Sequence, residues 1–120
     1  MKKLLIALVL TMANQAQAYP LSEATTAQCQ EAAENMAFSN AYERVCNARS
    51  HSFNRNINVW KMHGCSDKVS LNELRQTVAI NNDMMAQTKY KANDPYFCMS
   101  DEMAKAVRES ATAFMNFEVR

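Results

Sequence analysis

Apolar residues recur along this chain in four helical registers separated by short polar breaks. The fullest register is the last. From Ser100 onward, Met103, Ala106, Val107, Ser110, Ala111, Phe114 and Met115 recur at steps close to three and four, with Phe117 near the end. That spacing lines one face of an α-helix. Ser100 stands where an N-cap belongs, and Asp101 and Glu102 fall in the first turn, where negative charge suits the helix dipole. A second stripe, Leu71, Leu74, Val78, Met85 and Thr88, opens on Ser70-Leu71-Asn72-Glu73, the spacing of a capping box. It should end by Lys91, with Asn93-Asp94-Pro95 as the turn beyond. Asn81 and Asn82 interrupt this stripe, so one of them is expected to face the interior and to need a partner there.

The first register runs from about Glu23 to Cys46, with Ser22 as the expected cap. Cys29, Ala33, Met36, Ala37, Ala41 and Val45 mark its buried face, Phe38 and Tyr42 form an adjoining i,i+4 pair, and Ser39-Asn40 is the place where it could bend. The segment between the first and third registers is the least regular. Phe53, Ile57 and Trp60 have helical spacing, whereas Asn54, Asn56 and Asn58 weaken a helix and the alternation of Ile57 and Val59 would also suit a short strand. Helix is the preferred reading, closed by His63 and by Gly64 at the C′ position.

Composition agrees with helices. The chain has one glycine and two prolines, too few turn residues for a small sheet protein. Four helices with short links make an all-α, up-down bundle, read as a single domain over residues 19–120. Residues 1–18 read differently. Lys2 and Lys3 precede a continuous apolar run from Leu4 to Leu10, and Ala16 and Ala18 supply the small residues of a signal peptidase site before Tyr19. The run is too short for a stable membrane span, and no second long apolar run follows. The expectation is an exported protein, in the periplasm or secreted. Removal of the two signal lysines leaves eleven basic against twelve acidic residues, a balance that does not suit nucleic acid.

Export changes the reading of the cysteines. Cys29, Cys46, Cys65 and Cys98 are an even set in a short exported chain and lack a C-x-x-C pair, which favours two disulfides over redox or metal chemistry. Along a continuous first helix Cys29 and Cys46 would lie about 25 Å apart, beyond the roughly 7 Å that a disulfide allows. In an up-down bundle Cys29 shares the lower end with Cys65, and Cys46 shares the upper end with Cys98. The expected bonds are therefore Cys29–Cys65 and Cys46–Cys98.

Little else carries chemistry. His51 and His63 have no ligand-pair spacing, though a metal reading could join them with an acid such as Asp67. Met84-Met85 and Met99 with Met103 could bind a soft metal but read better as packing residues. The carboxylates of Glu31, Glu34, Asp101, Glu102 and Glu109 suit solvated helix faces, and no phosphate loop, nucleophile elbow or zinc-protease motif occurs. No catalytic residue, cofactor or metal is expected. The aromatic residues Phe53, Trp60, Tyr90, Tyr96 and Phe97 are the candidate interface, since aromatic side chains often anchor partners. The expected function is a protein-binding module of the cell envelope, such as an inhibitor, an immunity protein or an accessory subunit of an envelope complex. A stress-related holdase and a carrier of small apolar ligands are the alternatives, and homodimerisation is compatible with each.

Overall fold

A computed structural model describes residues 23–48 and 52–119. Four helices make up most of them: α1 (Thr26–Val45), α2 (Ser52–Met62), α3 (Leu71–Ala92) and α4 (Asp101–Glu118). Short 3-10 turns at Cys65–Asp67 and Phe97–Met99 lead into α3 and α4. The signal-peptide reading of residues 1–18, the Ser22 cap and His51 lie outside the described residues.

Hydroxyl caps set three of the helix starts. Thr25, rather than Ser22, caps α1: its Oγ1 accepts from the Gln28 N–H at 3.1 Å while Gln28 Oε1 accepts from the Thr25 N–H at 2.9 Å, a full capping box. Ser70 caps α3 by accepting from the Glu73 N–H at 3.0 Å. The Glu73 carboxylate reaches instead toward α1, where Gln30 Nε2 lies 3.5 Å away. Ser100 caps α4 by accepting from the Met103 N–H at 3.1 Å. Each such cap contributes about 1 kcal/mol. α1 runs unbroken through Ser39 and Asn40, and α2 is helical through Ile57 and Val59, so neither the bend nor the strand forms. Gly64, at φ +81°, turns the chain after α2, and Asn93, at φ +48°, ends α3.

α1 is the hub. Its buried face is built from Cys29, Ala32, Ala33, Met36, Ala37, Asn40 and Ala41. The alanines let neighbouring backbones approach, and α2, α3 and α4 each pack mainly against α1. Cross-links fix the directions. Ser52 donates to Glu43 and Trp60 Nε1–H donates to the Cys29 carbonyl, so α2 descends along α1. Gln30 meets Glu73 and the Val45 carbonyl meets Lys89, so α3 ascends. Tyr42 meets Cys98 and Asn35 meets Ser110, so α4 descends. This is the up-down bundle that the sequence pattern predicts.

The two disulfides close its ends. Cys29 is bonded to Cys65 and Cys46 to Cys98, with Cα atoms 5.4 and 5.7 Å apart. The core is concentrated near the first of them, where Trp60, Met36, Leu74, Phe114 and Phe117 are buried around Cys29 and Cys65. His63 belongs to this core and is not a surface cap: it is fully buried, its ring meets Phe117 edge-on at 4.6 Å, and Nε2 lies 3.3 Å from the Glu118 carbonyl. Its own carbonyl accepts from the Ala24 N–H at 3.1 Å, so the start of α1 and the ends of α2 and α4 converge on it. Outside this core, Arg55 of α2 pairs with the Glu118 carboxylate, whose hydrogen bond and charge raise the guanidinium pKa above its ordinary value. Four positions expected on buried stripes face solvent instead: Leu71, Thr88, Ala111 and Met115. Leu71 is the first residue of its helix, while Ala111 and Met115 lie to one side of the Ser110–Phe114–Phe117 line that α4 buries.

Candidate functional site

α3 and α4 both lean on α1 but make little contact with each other. At the upper end of the bundle a groove of about 510 Å³ lies between them. Phe38 of α1 contributes to it from below, Met84, Met85 and Thr88 line it from α3, and Met103 and Ala106 line it from α4. Phe97, in the 3-10 turn ahead of α4, closes the upper end. A second hollow of about 340 Å³ shares Phe38, Asn81 and Ala106 with the first and carries the groove down toward Ser110. The lining is mostly apolar, and Met84 is 62% exposed in it. Asn81 Nδ2 donates to the Thr77 carbonyl at 2.9 Å and lies 3.4 Å from Glu34 Oε1, which settles one of the two asparagines that interrupt α3. The other, Asn82, has a buried Oδ1 with no hydrogen-bond partner among the described residues.

The groove is fastened at its top. The Cys46–Cys98 disulfide joins the end of α1 to the Phe97–Met99 turn, Tyr42 Oη donates to the Cys98 carbonyl at 3.3 Å, and Lys89 Nζ donates to the Val45 carbonyl at 3.2 Å. The walls are thus tied to α1 by a covalent bond and by hydrogen bonds as well as by packing.

The five aromatic candidates separate. Tyr90 and Tyr96 are 86% and 66% exposed at the upper end of the bundle. Phe97 is half-buried and lines the groove. Phe53 is half-buried against the core and lines a different cleft, between α2 and α3. Trp60 is fully buried, with its indole N–H bonded to the Cys29 carbonyl at 2.9 Å, so it offers no surface to a partner. Sequence reasoning missed Phe38 and the wall positions Met84 and Met103 as parts of one surface. The available signal was the Met84-Met85 pair: neighbours on a helix point about 100° apart, so only one of them can enter the core.

The four cysteines are all in disulfides. Among the described residues no three of His, Cys, Asp and Glu cluster as a metal site would require, and no helix is long and apolar enough to cross a membrane. No family model, no curated protein and no solved structure matches this chain.

Proposed function

We propose that this protein is an exported binding module that receives an apolar helical segment of a partner protein in the groove between α3 and α4. The observation that carries this reading is the groove itself: two helix walls, an aromatic from a third helix beneath them, and methionines along both sides. A cleft between two helices suits an amphipathic helix laid lengthwise, and methionine adapts its shape to what it meets. The tie at Cys46–Cys98 supports a preformed surface, which reduces the ordering cost of binding. The export part of the reading rests on the basic, apolar and small-residue sequence of residues 1–18. A second reading, carriage of a small apolar ligand, is favoured by the volume of about 510 Å³, which falls within the range of small-molecule sites.

Two methionines provide a matched test. Met84 in the groove and Met115 outside it are 62% and 61% exposed, so Met84→Gln and Met115→Gln should affect folding alike. Mature oxidised protein and both variants would be used to capture proteins from an envelope extract, and any partner retained in equal stoichiometry would be purified and titrated. The expected result is that Met84→Gln weakens the partner about tenfold, the cost of taking one apolar side chain out of an interface, and that Met115→Gln does not. The ¹³C-methyl signals of Met84, Met85 and Met103 should shift on binding. Equal affinity of the two variants with unmoved methyl signals would refute the groove as the binding surface. Saturable displacement of those signals by a fatty acid, with no protein retained, would favour the carrier.

A further inference from the structure

We infer that the segment received by the groove is cationic: an amphipathic helix with lysine or arginine beside its apolar face. The inference rests on the groove being a binding surface and adds the chemistry of its occupant. Four carboxylates lie among the lining residues, Asp94 and Glu102 at the upper end and Glu34 and Glu109 lower down, and no lysine or arginine is among them. All four residues are exposed. None is ion-paired among the described residues, where the bridges are Arg55–Glu118 and Lys68–Glu23, both away from the groove. The acidity is local, because the whole chain has a formal net charge of only +1. Two of the carboxylates are held by short-range bonds. Asp94 Oδ1 accepts from the Tyr96 N–H at 2.9 Å, and Glu34 Oε1 faces Asn81 Nδ2.

The spacing makes the inference specific. Glu102 and Glu109 are seven residues apart on α4, two turns and about 10 Å along the wall. A helix lying along that wall would meet them with basic residues at i and i+7, while its apolar residues at intervening helical positions face Phe38 and the methionines. An acidic helix would place like charges together at both points. Carboxylates on a groove rim keep much of their hydration, so they select the partner and speed its approach more than they add affinity.

The test uses mature oxidised protein and three synthetic helical peptides that share one leucine-rich face and carry lysine, glutamine or glutamate on the other. Binding is read by fluorescence anisotropy, and the Met84 and Met103 methyl signals report where each peptide sits. The lysine peptide should bind about tenfold more tightly than the glutamine peptide, and the glutamate peptide most weakly. The lysine advantage should shrink as salt is raised to about 0.5 M, where screening is strong. The double variant Glu102→Gln with Glu109→Gln should lose most of that advantage, so that it binds the lysine and glutamine peptides with nearly equal affinity. If lysine and glutamine peptides bind alike and both move the methyl signals, the groove stands and its cationic preference is wrong. A lysine advantage that survives in the double variant would also overturn the preference. If no peptide moves those signals, the groove reading fails and takes this inference with it.

Discussion

Removing the two disulfides one at a time should reverse the order that loop length alone predicts. The bonds close segments of 36 and 52 residues, and the chain-entropy relation gives each about 4 kcal/mol, slightly more for the longer loop. Their surroundings differ far more than their loops. Cys29 and Cys65 are fully buried, whereas Cys46 and Cys98 are half-buried at the upper end. Replacing Cys29 and Cys65 by alanine therefore deletes two sulfurs from the packed core beside Trp60, and each void of that size costs about 1 kcal/mol more. The expected losses are about 6 kcal/mol for Cys29→Ala with Cys65→Ala and about 4 kcal/mol for Cys46→Ala with Cys98→Ala. Domains of this kind have only about 5–15 kcal/mol to lose, so the first variant should be close to unfolded without denaturant. Urea titrations followed by far-ultraviolet circular dichroism give the two losses. Timed reduction of the native protein by dithiothreitol is the companion measurement, and it should open Cys46–Cys98 first. A larger loss from the Cys46–Cys98 pair, or equal losses, would show that burial does not govern the ranking and would refute the argument.

Three smaller predictions follow from individual side chains. Trp60→Phe removes the indole donor from the Cys29 carbonyl and leaves a gap in the core, so it should cost about 2–3 kcal/mol in urea denaturation without moving the helical signal. Gly64→Ala forces a side chain into the left-handed region and brings its Cβ to 3.4 Å from the Glu23 carboxylate, for a loss of about 1–2 kcal/mol in the same assay. Asn82→Leu exchanges a buried amide oxygen that has no partner among the described residues for an apolar group of similar size and should raise the thermal midpoint, with a gain of about 1 kcal/mol; a lowered midpoint would refute this reading of the amide oxygen.

Much of the fold was legible because helix starts are chemically local. Ser70 and Ser100 read as caps from their neighbours alone, and both act as caps. The disulfide pairing was legible because alternating helix directions leave a single sensible partner at each end. Burial was less so. Phe53, Ile57 and Trp60 mark the same face of α2, yet Trp60 alone is fully enclosed and the others are half-buried. Trp60 shares its buried cluster with Cys29, Cys65, Phe114 and Phe117, none of which its own segment encodes. His63 is buried for the same reason: a histidine just before a helix-ending glycine looks solvated until Phe117 comes back over it from the far end of the chain. The groove was least legible. It depends on how far apart α3 and α4 sit on α1, and each helix shows a satisfactory apolar stripe whether or not its neighbour touches it.

The placement of large and small side chains explains why the groove lies where it does. The lower half of the bundle holds Trp60, Leu74, Phe114 and Phe117, enough bulk to fill the space between helices around Cys29–Cys65. Higher on α1 the buried positions are Ala37, Asn40 and Ala41, which fill little. The helix walls there draw close to α1 but not to each other, and Phe38 with the methionines is left facing the gap. Packing there draws α3 and α4 to α1 and little to each other. The Cys46–Cys98 bond, the Tyr42 hydroxyl and Lys89 act at that end and hold both walls to α1. In the proposed binding role the second disulfide does more than add to stability, because it ties an underfilled end of the bundle together and a preformed groove lowers the ordering cost of binding a separate segment.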